Sequence, residues 1–143
     1  MFTDTHAHLD FPDYANDLDS VLQNAQAAGI SRIITISTSV DGSARAVALA
    51  EKHPQIRAAI GVHPCYVEES PEDFLVPLRE LAKNPTVVAI GETGLDYNKG
   101  PALQRAHRAH QFGYRAADVA RIDDRVVVGA GDRDADHPCD AAA

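Results

Sequence analysis

The sequence predicts an α/β fold built on a parallel sheet, with its βα units arranged as in a (β/α) barrel. Three observations carry this. Apolar strand-like runs and amphipathic helical stretches alternate four times in the first hundred residues, with no hairpin signal between them. Such alternation requires crossover helices and parallel strands. Polar residues collect where each strand ends, first His6 and His8, then Ser37 and Thr38, then His63, then Glu92. Open α/β sheets and barrels both carry their sites at that end. No glycine-rich phosphate loop follows the first strand, which argues against a nucleotide-binding open sheet and for the barrel.

Each element has its own warrant. Phe2-Thr3-Asp4-Thr5 is strand-like, with an aromatic and two β-branched residues, and Leu9-Asp10-Phe11-Pro12 breaks the pattern. Leu18, Val21, Leu22 and Ala25 fall at helical spacing, predicting a helix over 17–28 that Gly29 stops. Residues 30–37 read as a buried strand, with Ile33, Ile34 and Ile36 interrupted only by Thr35. A second helix over 41–53 carries Ala44, Val47, Ala48 and Leu49, and Pro54 ends it. Residues 56–62 form the third strand. Ser70-Pro71-Glu72-Asp73 predicts a capped helix start, with Phe74, Leu75, Leu78 and Leu81 buried and the helix running to about Lys83. Residues 86–90 form the fourth strand, and 125–128 could form a fifth. Strand alternation assigns Ile34, Ile36, Ile60, Val88 and Ile90 to the inward face of the sheet.

Composition sets the bounds. The chain has 143 residues, which suggests one domain, with 45% hydrophobic and 24% charged residues, as globular proteins have. It contains no apolar run of membrane-spanning length and no basic-then-apolar leader at its start, so the expected location is cytoplasmic, with no membrane partner. Cys65 and Cys139 are then expected to stay reduced, with Cys65 a small buried residue and no ligand. A formal net charge of −8 argues against binding nucleic acid through a basic surface. It leaves open a nucleic acid held through divalent ions, which reverse the local sign.

The chemistry-bearing stretch is Thr5-His6-Ala7-His8. On an extended strand, side chains two apart leave the same face, so both imidazoles point one way. Two neutral imidazoles make half of a site for borderline metals such as Zn, Mn or Fe. Glu92, a carboxylate directly after a buried apolar strand, calls for a cation. His53, His107 and His110 read as surface residues.

Asp4-Thr5-His6-Ala7-His8-Leu9-Asp10, Gly61-Val62-His63-Pro64 and Gly91-Glu92-Thr93-Gly94-Leu95-Asp96-Tyr97 resemble, in order and spacing, the TatD family of metal-dependent deoxyribonucleases. The resemblance covers residues 1 to about 99. It implies part of an eight-stranded TIM barrel, about four to five βα units, and hydrolysis of DNA phosphodiesters at a two-metal centre. By that resemblance His6 and His8 would bind one metal, and Glu92 would bridge two. His63 would contact the substrate phosphate, and Glu92 and His63 would be the catalytic residues. Asp96 belongs to the motif without an assigned role. The cofactors would be divalent ions, Mg, Mn or Zn, which polarise a phosphoryl oxygen and activate water near neutral pH.

The second half departs from the family pattern. A full barrel takes about 250 residues, and the family's later ligands include a His near the end of the fifth strand, a His on the sixth and an Asp on the eighth. Where the first of these is expected, this chain has Gly129 or Gly131. After Gly100, Lys and Glu vanish while Ala, Arg, Asp and Gly take over, a bias that a shifted reading frame in a GC-rich gene would produce. The expected division is therefore a half-barrel over 1–100, a divergent helix (104–120) and strand over 101–131, and a disordered tail over 132–143. Half a barrel leaves open sheet edges, which predicts self-association. The competing expectations are an inactive fragment, or another barrel metallo-hydrolase acting on amides or lactones.

Overall fold

The computed structural model describes residues 1–67 and 69–93 in full, and 126–129 as backbone. Five strands form one parallel sheet: β1 (Phe2–Ala7), β2 (Ile30–Ile36), β3 (Ile56–Ile60), β4 (Val87–Thr93) and β5 (Val126–Gly129). Each strand pairs with the next in sequence, in the order β1-β2-β3-β4-β5. That is the sequential winding of a barrel, with no reversal of strand order. Helices α1 (Leu18–Ala27), α2 (Val40–Lys52) and α3 (Leu75–Leu81) provide the crossovers between the first four strands. The expected helix over 104–120, the domain boundaries near 100 and 131, and the tail over 132–143 lie outside the described residues.

Local chemistry explains most element ends. Gly29 has φ +90 directly after α1, where a side chain would be strained. Ser39 caps α2 by accepting a hydrogen bond from the Gly42 N–H at 3.1 Å. Asn84 makes the turn into β4, its Oδ1 accepting from the Thr86 N–H at 3.0 Å.

One helix differs from its expected span. The Ser70-Pro71 start is not used, because α3 begins at Leu75 and the Ser70 hydroxyl instead donates to the Tyr66 carbonyl at 2.9 Å. Pro77 supplies the reason. A helix beginning at Pro71 would need a bond from the amide of residue 77 to the Asp73 carbonyl, and proline has no N–H to give. Beginning at Leu75 puts Pro77 in the first turn, where that donor is not needed. The Asp73 carbonyl then accepts from the Val76 N–H at 2.9 Å.

The core lies mainly between sheet and helices. Ile33, Ile56, Ala58, Ile60, Val87 and Ile90 pack with Leu22, Val47, Ala50, Phe74 and Leu78. Ile36, Ala59 and Ala89 form a second, smaller cluster with Ile34 on the other face. The inward-face assignment therefore holds for Ile34 and Ile36 and fails for Ile60 and Ile90. The cause on β4 is a register shift. Ala58 pairs with Val87 but Ala59 pairs with Ala89, so Val88 is an extra residue and the alternation changes phase after it. On β3, Ile60 shares the face of Ile56 and Ala58, at the period of two. Among the described residues, no helix is long and apolar enough to cross a membrane.

Candidate metal centre

His6 lies near the end of β1 and His8 just beyond it. The strand is irregular there, its register with β2 shifting between Asp4 and Ala7. The rings nevertheless converge, their centroids 5.1 Å apart and nearly perpendicular. The extended-strand argument for two imidazoles on one face is thus met by geometry. His8 is held on two sides, with its ring stacked on Phe11 at 5.0 Å and its Nδ1 2.7 Å from the Ile36 carbonyl. A carbonyl only accepts, so Nδ1 carries the proton and Nε2 keeps its lone pair for a ligand.

Glu92 arrives from β4, within the strand rather than after it. Its Oε1 lies 3.5 Å from His6 Nε2. The Glu92 side chain is 13% exposed and that of His6 49%, so the carboxylate forms the floor and His6 the open side. One donor atom from each of His6, His8 and Glu92 lies within 4.8 Å of the others. Donors around one ion at about 2.1 Å can be at most about 4.2 Å apart. A small inward movement therefore closes this set on one ion, and two imidazoles with one carboxylate suit a borderline divalent metal.

Close strand approach brings Glu92 into place. A Cβ on Gly61 would lie 2.7 Å from the Gly91 carbonyl oxygen and 2.8 Å from its carbon. Glycine at the end of β3 thus lets β4 pass at the point where it presents Glu92.

His63 begins the loop after β3, and its Nδ1 accepts from the Cys65 N–H at 3.2 Å. When neutral, its proton therefore sits on Nε2, which makes it a donor toward an anionic oxygen. It is outside the three-donor group. Cys65 is buried, as expected, but it is disulfide-bonded rather than a reduced thiol. It too is outside that group. His53 is half-buried, and its Nε2 has no hydrogen-bond partner. Asp96 and the rest of its motif from Gly94 lie outside the described residues, as do His107 and His110. Gly129 sits at the end of β5 in register with Thr93, and offers no side-chain donor there.

Two features around the centre escaped sequence reasoning. Asp10 is buried, with Oδ1 lacking a hydrogen-bond partner and Oδ2 3.5 Å from an Arg45 nitrogen. Burial holds its carboxyl above the ordinary value of 3.8, and its own backbone hydrogen bond, Arg45 and His8 only partly offset this. Its place in the His6–His8 motif was visible, but its burial was not. Ser43 is fully buried on α2 and pairs with Ser37 at 2.7 Å. The clue in sequence is its place four residues after the capping Ser39, on the helix face turned to the sheet.

Fold and site together define part of a βα barrel, with three donors able to hold a metal at the C-terminal strand ends. The TatD related DNase family model matches residues 3–128, and the chain belongs to that family. It is 40% identical over 107 residues to the uncharacterized metal-dependent hydrolase YjjV of Escherichia coli K12, covering 73% of this chain and 41% of YjjV. It is 38% identical over 106 residues to the 3'-5' ssDNA/RNA exonuclease TatD of Enterobacter lignolyticus, covering 74% of this chain and 41% of the relative. The crystal structure of Escherichia coli YjjV superposes with a TM-score of 0.77 at 34% identity, covering 90% of this chain and 50% of that one. The chain thus spans about half the length of these relatives or less.

Proposed function

We propose that this chain carries the first metal-binding half of a phosphodiester hydrolase acting on DNA. The observation that carries this reading is the convergence of His6, His8 and Glu92 from two strands on one point. His6 and His8 would each offer a ring nitrogen, and Glu92 an oxygen, to a divalent ion, Mg, Mn or Zn. Such an ion, when bound, supplies Lewis acidity toward a phosphoryl oxygen and an activated water. Glu92 would take the bridging place of a second ion. His8 is turned toward the site by its hydrogen bond to the Ile36 carbonyl. His63, with Nδ1 occupied by the Cys65 amide, would donate from Nε2 to a substrate phosphate oxygen. With a net charge of −8, a bound divalent ion would favour the approach of an anionic substrate. Self-association through the open edge of β1 belongs to the same proposal.

The test is hydrolysis of a single-stranded and a double-stranded DNA oligonucleotide by the purified chain with Mn2+ or Mg2+. EDTA and the Glu92→Gln chain serve as controls. Metal-dependent cleavage that is lost in Glu92→Gln supports the reading. Cleavage equal in both chains would be contamination. No cleavage by a chain that demonstrably binds Mn2+ would favour an inactive fragment over the nuclease.

A further inference from the structure

The end of β2 carries no metal donor, yet it touches both strands that do. The Ile36 carbonyl accepts the His8 Nδ1 proton at 2.7 Å. The next carbonyl, that of Ser37, accepts the Glu92 amide at 3.3 Å. Two successive peptide units therefore hold one donor from β1 and another from β4.

The Ser37 N–H donates to the Ala59 carbonyl at 3.0 Å, and a chain of buried hydroxyls braces those peptide units further. Ser37 and Ser43 are both fully buried, with their oxygens 2.7 Å apart. The Gly61 N–H lies 3.2 Å from each hydroxyl. Ser43 Oγ lies 2.8 Å from the Ser39 carbonyl. Ser37 Oγ also lies 3.3 Å from the Ala59 carbonyl, and Ser43 Oγ 3.4 Å from that of Gly61. Each hydroxyl has one proton to give, and one assignment uses the two shortest contacts, those at 2.7 and 2.8 Å. The Gly61 N–H donates to Ser37 Oγ, Ser37 to Ser43, and Ser43 to the Ser39 carbonyl. The network joins β3, β2 and the first turn of α2, and in it each hydroxyl has an acceptor. Space alone does not call for such a pair, since alanine would fill it without a buried polar group to satisfy.

We infer that Ser37 and Ser43 are a positioning pair, which clamps the end of β2 so that its carbonyls set the ring of His8 and the backbone of Glu92 for metal binding. This rests on the proposed metal role of His6, His8 and Glu92. Neither serine touches the ion or substrate. Loss of a group hydrogen-bonded directly to a ligand costs about 10–100-fold in metal affinity; the serines act one bond further out, through the β2 carbonyls, so the low end of that range is expected.

The experiment compares the full chain with Ser37→Ala and Ser43→Ala, using two readouts. The first is the 15N spectrum of the His8 ring in metal-free protein. The unaltered chain should show the Nδ1–H tautomer, and the variants a shift of the Nδ1 resonance toward a tautomer mixture. The second is Mn2+ affinity by titration, which should fall about tenfold in each variant. Each alanine variant leaves the Gly61 N–H one remaining hydroxyl acceptor, so both should fold; if one does not, the other decides. Leu78→Ala, buried in α3 away from the site, should lower the melting temperature without moving either readout. An unchanged His8 spectrum in the serine variants overturns the inference whatever the affinity does. If the unaltered chain binds no Mn2+, the metal reading fails, while the His8 spectrum still decides whether the serines position the ring.

Discussion

At the scale of single residues, His6 is the most exposed of the three donors and the easiest to remove without disturbing the core. His6→Ala leaves one imidazole and one carboxylate, too few to hold a borderline metal against water. Calorimetric titration should show one Mn2+ per unaltered chain and none for His6→Ala, and retention of affinity within threefold would remove His6 from the donor set. Asp10 leads to a different expectation. Its folded-state value is raised by burial, so the folded chain binds this proton more tightly than the unfolded chain does. Stability therefore falls as pH rises from about 3.8 through the raised value, and the penalty is fully present above it. Asp10→Asn removes that charge while Arg45, 3.5 Å away and half exposed, loses little. Without divalent ions, the variant's melting temperature minus that of the unaltered chain should grow as pH rises above about 3.8 and level off once Asp10 is ionised in the folded chain. A difference that shrinks with pH, or is negative at pH 7, would contradict the assignment.

At the scale of elements, the end of β3 is where strand packing and the donor set are most directly joined. Gly61→Ala puts a methyl group where the Gly91 backbone lies, and a strand backbone cannot give way as a flexible side chain can. Overpacking of this kind costs about 1–3 kcal/mol. Because Glu92 is the next residue, Mn2+ affinity should fall together with the melting temperature. Phe74→Ala is the contrasting case. Phe74 is among the largest fully buried side chains and lies just before α3. Its loss should cost about 3–5 kcal/mol with Mn2+ affinity preserved at temperatures where the chain remains folded. Element order and type were legible in the sequence because β2 carries a nearly continuous apolar run and α1 and α2 carry apolar residues three to four apart. The start of α3 was not, because the capping pattern at Ser70 competes with Pro77 and only the backbone bond count decides between them. The phase of β4 was hidden for a related reason, since nothing in the residue types around Val88 marks an extra residue in the strand.

At the scale of the whole molecule, the site was legible because its donors lie in short motifs at strand ends, and sequential parallel winding brings those ends together. The support between them was not legible, since Ser37, Ser43 and Gly61 come from three elements and only the fold joins them. The same winding leaves β1 at one side of the sheet, paired among the described residues with β2 alone. This edge carries the most exposed large apolar residues of the described chain, Met1 at 99% and Phe2 at 70%. The Phe2 N–H bonds to the Gly29 carbonyl at 2.9 Å, on the β2 side. In a parallel strand the next residue turns the other way, so Thr3 directs its N–H and C=O to the open edge. Exposed backbone donors beside an exposed phenyl ring are a template for a further strand. Light scattering at micromolar concentration should give an apparent mass above 15.3 kDa that rises with concentration. Thr3→Pro removes the outward N–H without touching the bonds to β2, and Phe2→Lys replaces the apolar surface with a charge. Each should bring the mass toward the monomer while leaving the far-ultraviolet circular dichroism unchanged. An unaltered chain that stays at monomer mass across the concentration range would show that this edge is covered, and would remove self-association from the proposed function.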